Sequence, residues 1–254
     1  MTRAVPLNLI ARLALRLAVG LLAAWFIAGC GVEFTPSVAP LDVESPPAEA
    51  PLAAPGELVP GLGVRYEEAS DFSAERQGWI RQALDNWGAL IGADRFSELV
   101  AQGAAADGNN EYAIRYSAEG GAGHLDQEGV VVLGEDVFAE DNWQRRYRPD
   151  PLYQNSEASS RISVGHEFAH VIFNGDRAPV DAFEGIFDPT DPAHQAVSVN
   201  TNAEEALANI LALMAEQGPD APGIPEDLRA CVVGSILPYL SGDVAEVAPC
   251  APGP

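Results

Sequence analysis

The chain has 254 residues, enough for one ordinary domain with a proper core. It carries 14 basic and 37 acidic residues, a net charge of −23, and every basic residue is Arg. So acidic a surface repels phosphates and argues against a nucleic-acid partner.

Residues 1–29 read as an export signal: Arg3, Arg12 and Arg16 flank or precede the apolar run "LAVGLLAAWFIA". The run is short for a membrane span, which needs about 20 apolar residues. It ends in "IAGC" (27–30), which resembles the bacterial lipoprotein signal, in which the cysteine is lipidated and becomes the first mature residue. That resemblance implies a lipid on Cys30 and a place in the bacterial cell envelope, on the periplasmic face of a membrane or at the cell surface. An ordinary secretory signal or a membrane anchor is the alternative. Removing residues 1–29, which hold three Arg and no acid, takes the net charge to −26. Cys231 and Cys250 then form an even pair in an oxidising compartment, where a disulfide closing the C-terminal segment is expected. Residues 30–60 are rich in Pro and Ala without a period and read as an extended tether. The folded domain is expected over 61–254.

"SAERQGWIRQALDNWGALIG" (73–92) places Trp79, Ile80, Ala83, Leu84, Trp87 and Leu90 at helical spacing, with Ser73 as N-cap. "EYAIRYS" (111–117) and "GVVVLGEDVF" (129–138) read as strands separated by the glycine-rich "AEGGAGH". "DGNNE" (107–111) has an order of carboxylates and amides like that of a calcium loop, but Tyr112 stands where such a loop needs Gly, so it reads as a turn. A loop with three Arg follows (139–155), then a helix over 156–174 ended by Gly175. Residues 178–199 read as a long loop. A second strong helix covers 202–217, and a shorter one lies near 225–240, between the paired cysteines. The class is α+β.

The helix over 156–174 contains His166-Glu167-Phe168-Ala169-His170. Residues four apart share a helix face, about 6 Å apart along the axis, so His166 and His170 can aim ring nitrogens at one point. Zinc accepts such nitrogens. Glu167 is turned about 100° from His166, flanks the metal instead of binding it, and can take a proton from a water that the metal acidifies. Ile162, Phe168, Ala169 and Ile172 are available to pack the helix.

With these elements in this order, residues 70–217 resemble a zincin metallopeptidase domain, the pentapeptide being the sharp part of the match. The resemblance implies Zn²⁺ on His166 and His170, Glu167 as general base, and peptide or protein substrates. It also implies a long N-terminal helix, a small mixed sheet with an edge strand over the metal, here "GVVVLG", and a C-terminal helical part. Two residues compete for the third ligand. "EALANILALMAE" (205–216) resembles the glutamate helix of thermolysin-like gluzincins, which implies Glu205 as ligand and Asn209 as the residue that orients a zinc histidine. Glu204 is explained by a capping box with Thr201, although Asn202 and Glu205 fit a weaker version of that box. The rival is Asp176, at the position of the last metzincin ligand. Phe173 stands there in place of the Gly that allows the tight turn, which favours Glu205. For the oxyanion donor the candidates are His194, Tyr153 and Arg161, and His124 can line the cleft. The alternative function is a noncatalytic zincin-like or structural envelope lipoprotein that acts by binding. The lipid expectation has a direct test: intact wild-type chain should carry acyl mass on Cys30, and Cys30→Ser should leave membranes or remain an unprocessed precursor. Wild type without acyl mass would refute it.

Overall fold

Helix α1 (Ala74–Ile91) starts where Ser73 accepts a hydrogen bond from the Arg76 amide (3.2 Å), as the N-cap reading requires. It buries Ile80, Ala83, Leu84 and Trp87. A computed structural model describes residues 58–59, 64–118, 123–125, 130–139, 156–198 and 202–250, all within one unit spanning 50–254. The export signal, Cys30, most of the tether, the arginine-rich loop, Tyr153 and Thr201 lie outside the described residues.

Gly92 ends α1 at a φ of 93°, a conformation that suits only glycine well, and α2 (Ala93–Ala106) begins at the next residue. No helix is expected there from the sequence reading. Phe96, Leu99, Val100, Gly103 and Ala104 do recur at helical spacing and are buried, but small residues weaken the signal in the second half. Asp107 through Glu111 form the expected turn, in which Asp107 accepts a hydrogen bond from the Tyr112 hydroxyl.

The sheet has five strands: β1 (Leu58–Val59), β2 (Val64–Tyr66), β3 (Tyr112–Ser117), β4 (Gly123–Leu125) and β5 (Val130–Gly134). Their order is β1-β2-β3-β5-β4; β2, β3 and β5 are parallel, and β1 and β4 close the two edges antiparallel. The expectation that "GVVVLG" is the edge strand is therefore corrected. β5 lies between β3 and β4, and all five of its residues are buried. An unbroken Val-Val-Val-Leu run is the pattern of a strand covered on both faces. The true edge, β4, was hidden in the glycine-rich segment, where glycine lowers strand propensity. Tyr112, Ile114, Val131 and Leu133 face the main core, while Ala113, Val130 and Val132 form a small cluster on the opposite face.

Helix α3 (Ser156–Gly175) carries the pentapeptide and packs against α1, α2, β4 and α6 (Ala203–Gln217). Residues 162–169 and 171–173 are all buried. The expected loop over 178–199 instead contains two short helices, α4 (Ala178–Glu184) and α5 (Pro192–Gln195). Each has a proline in its first turn, where the missing N–H costs nothing. α7 (Glu226–Cys231) passes through a π turn, Val232–Ile236, into α8 (Leu237–Leu240). There the Leu237 amide reaches back to Val232 and Pro238 offers no N–H, so the wider turn absorbs the missing bond. Cys231 and Cys250 are disulfide-bonded, with Cα atoms 5.2 Å apart. Among the described residues no helix is long and apolar enough to cross a membrane.

α2 and α3 meet closely at their glycines. A Cβ at Gly103 would lie 2.2 Å from the Val171 carbonyl oxygen, and one at Gly175 would lie 2.6 Å from the Gly103 nitrogen. The two backbones touch, so neither position has room for a methyl group. Gly103→Ala should cost at least about 1–3 kcal/mol in urea unfolding, the range for overpacking. Gly78→Ala, in α1 where an added Cβ meets nothing within 4 Å, should instead gain roughly 0.5–1 kcal/mol. Equal effects from the two would refute the close crossing.

Candidate metal centre

The α3 backbone is fixed just before the first histidine. Trp87 of α1 donates its indole N–H to the Gly165 carbonyl (2.9 Å), and a Cβ on Gly165 would approach that nitrogen to 3.2 Å. His166 and His170 then project from the same face, with their rings 4.7 Å apart. Opposite them α6 begins. Its N-cap is Asn202, whose side chain accepts from the Glu204 amide (2.9 Å), so Glu204 and Glu205 both fall in the first turn. Carboxylates there are favoured by the positive end of the helix dipole.

Glu205 faces the histidines. Its carboxylate lies 3.3 Å from His166 Nε2 and 3.6 Å from His170 Nε2, and the two Nε2 atoms are 3.1 Å apart. Among the described residues this is the one group of three His, Cys, Asp or Glu side chains whose donor atoms could hold a metal ion, all within 4.8 Å. Donors about 2.0–2.1 Å from a tetrahedral ion lie roughly 3.3–3.4 Å apart, so the separations found here bracket that value. Two imidazoles and a carboxylate are also a donor set that zinc takes. By size and chemistry the trio fits.

Glu204 has a different role from the expected capping box. Its Oε1 accepts from His170 Nδ1 (2.9 Å) and its Oε2 accepts from Arg177. A histidine whose Nδ1–H is held by a carboxylate presents the lone pair of Nε2 to the site. The orienting role expected of Asn209 therefore belongs to Glu204. Asn209, buried on α6, donates to the Val197 carbonyl (3.0 Å) and ties the helix to the preceding segment. Nδ1 of His166 is buried without a hydrogen-bond partner among the described residues.

Asp176 stands apart from the trio. Helix α3 continues through Gly175, and the Asp176 carboxylate accepts from the Ala178 amide (3.0 Å) and the Tyr239 hydroxyl. It is a turn residue, as the absence of a glycine at 173 suggests. Two of the proposed oxyanion donors are also occupied. His194 is 4% exposed, accepts from the Asp188 amide through Nδ1 (2.9 Å), bonds Asp227 through Nε2 (3.0 Å) and stacks on Phe187. Arg161 pairs with Glu216 (2.6 Å), clamping α3 to α6. His124 contributes backbone to the edge strand β4, paired with Val132. Glu167 is 5% exposed, and its charge acts on His170.

The pKa values follow from these contacts. Burial opposes charge on His170, but the Glu204 hydrogen bond, with the charges of Glu167, Glu205 and Glu204, outweighs it and raises the pKa above 6.5. Glu204 is lowered to about 2, chiefly by the His170 hydrogen bond and then by Arg177, against the cost of burial. Glu205 is held below 4.5, first by the His166 hydrogen bond.

The residues that the sequence reading missed are Arg177 and the imidazole-binding role of Glu204. A Glu-Glu pair opening a helix is a usable signal, since a ligand histidine needs an acceptor at its second nitrogen. Arg177 gave no such signal. No protein-family model, curated protein or solved structure matches the chain.

The Glu204–His170 pair makes the metal-free chain pH-sensitive in a defined window. The lowered Glu204 pKa contributes stability that is present above about 4.5 and lost as pH falls toward about 2. The raised His170 pKa contributes stability that is present below 6.5 and lost as pH rises through its folded value. Urea titrations of metal-stripped wild type and Glu204→Gln should therefore differ most between about pH 4.5 and 6.5. The difference should be on the order of 1 kcal/mol once solvent screening of a partly exposed pair is allowed for. A pH-independent difference would refute the linkage.

Proposed function

We propose that the chain is a zinc-dependent peptidase of zincin-like type, exported and held on the bacterial cell envelope by lipid on Cys30. The observation that carries this reading is the convergence of His166 Nε2, His170 Nε2 and the Glu205 carboxylate beside the buried Glu167. The antiparallel edge strand β4, which lies against α3, supports it further. Among the described strands β4 has a neighbour on one side only, and an extended peptide can align along the other.

In this reading His166, His170 and Glu205 hold Zn²⁺. Bound there, the ion supplies a Lewis acid that acidifies water and polarises a peptide carbonyl. The chain's own residues do the rest. Glu167 is one position from His166 and outside the donor trio, so its carboxylate serves as the base: it accepts the proton of the attacking water and returns it to the departing amine. Its burial helps, because a carboxylate shielded from bulk water exchanges its proton with the substrate and not with solvent. Glu204 holds the His170 ring at Nδ1, and Trp87 holds the backbone before His166. A purely structural metal site has no need of Glu167, which is why the catalytic reading is preferred to a binding protein.

Zinc content and cleavage of unfolded protein substrates test the proposal on the full chain. Wild type should hold about one zinc, and Glu167→Gln should keep it while losing at least about 100-fold in hydrolysis. His166→Ala and Glu205→Ala should lose the metal, whereas Asp176→Ala, outside the donor trio, should keep it. Metal retained by Glu205→Ala, or unchanged cleavage by Glu167→Gln, would overturn the assignment. A zinc-loaded wild type that cleaves nothing across a broad substrate screen would favour the binding protein.

A further inference from the structure

Two adjacent glutamates open α6, and both have the reach and the charge to bind a cation facing the α3 histidines. Only Glu205 joins the donor trio. The cause lies in what holds Glu204. Each of its two oxygens is used once, Oε1 by His170 Nδ1 and Oε2 by Arg177. With one oxygen on the imidazole and the other on the guanidinium, the carboxylate has one orientation, turned away from Nε2.

Arg177 is itself held in place. It is the residue that precedes α4, at the turn where α3 ends. Asp176 shapes that turn by accepting from the Ala178 amide, and the Tyr239 hydroxyl anchors Asp176 from the disulfide-closed segment. The residue that competes in the sequence for the third ligand position is therefore part of the mount for Arg177.

We infer that Arg177 is a positioning residue: acting through Glu204, it fixes the His170 ring and keeps Glu204 out of the ligand set. This rests on the reading of His166, His170 and Glu205 as zinc ligands. Without Arg177, Oε2 of Glu204 loses its charged partner, and the side chain is free to rotate toward solvent or the cation. The His170 ring then loses its fixed acceptor, and the site is less ordered before the metal arrives. Arg177 makes its contact with Glu204 through one nitrogen, Nη1, so a point charge on a flexible stem can replace it. Its side chain is 50% exposed, so truncation opens no cavity in the core.

The test is zinc affinity of the full chain, measured by competition with a chromophoric chelator, with thermal unfolding of the metal-stripped protein as a control for folding. Glu204→Ala should bind zinc about 10–100-fold more weakly, as for other groups that orient a ligand histidine. Arg177→Met, equal in reach but uncharged, should lose several-fold, and Arg177→Lys should recover most of that loss. The Glu204→Ala/Arg177→Met double variant should bind no more weakly than Glu204→Ala alone, because Arg177 acts only through Glu204. Wild-type affinity in Arg177→Met, failure of Lys to rescue, or additive losses in the double variant would overturn the positioning role while leaving the zinc reading intact. A wild-type chain that binds no zinc would instead remove the zinc reading, and this inference with it.

Discussion

The structure depends on the burial of one helix that is not wholly apolar. α3 is packed by α1, α2 and α6, and by the β4 edge of the sheet, so its backbone cannot shift without disturbing each of them. Yet it carries His166 and Glu167 into the interior, at 8% and 5% exposure. Polar groups that deep are costly without partners, and the rest of the fold supplies several of them. The N-terminus of α6 brings two carboxylates to the histidine face, and α1 brings the Trp87 N–H to the Gly165 carbonyl. α2 brings closeness, through a glycine that lets its backbone touch that of α3. Helices that meet at backbone distance have little freedom to slide, so Gly103 and Gly175 fix the height of α3 relative to α2.

The electrostatics suit this arrangement. The chain has far more acid than base, and several of its Arg side chains pair with carboxylates. Arg161 clamps Glu216 between α3 and α6, Arg177 takes Glu204, and Arg76 takes Glu135 at the end of β5. Arginine suits this work because it remains charged in partly buried positions. Glu205 is the carboxylate of the α6 pair without an arginine contact among the described residues; its neighbours are the two imidazoles. A carboxylate paired only with imidazoles keeps lone pairs available to a metal.

Much of this was legible in the sequence, where periodicity and end signals are strong. The Ser73 cap, the stop of α3 at Gly175, the start of α6 near Asn202 and the Cys231–Cys250 bridge follow from local chemistry. The histidine pair was legible because a four-residue spacing on a helix has one geometric meaning, whereas Glu205 was expected only from the resemblance of 205–216 to a glutamate helix, with Asp176 as its rival. What failed to show was non-local. Strand order is decided by pairing partners far apart in the chain, so an apolar run looked like the edge and a glycine-rich stretch concealed it. The α2 signal was thinned by the small residues that its contact with α3 demands. Glu204 satisfied a capping pattern on paper, but that pattern cannot say which partner will arrive across a helix contact.

The two histidines also differ in how they are held, and the difference follows from their neighbours. His170 is gripped through its ring, by a carboxylate that an arginine holds in turn. His166 has no such partner at Nδ1 among the described residues; its position is set through the backbone, by the Trp87 bond to the residue before it and by the lack of a side chain at Gly165. One ligand is thus oriented by a charged hydrogen-bonded pair and the other by packing and a backbone contact, so the two rings are fixed by different means.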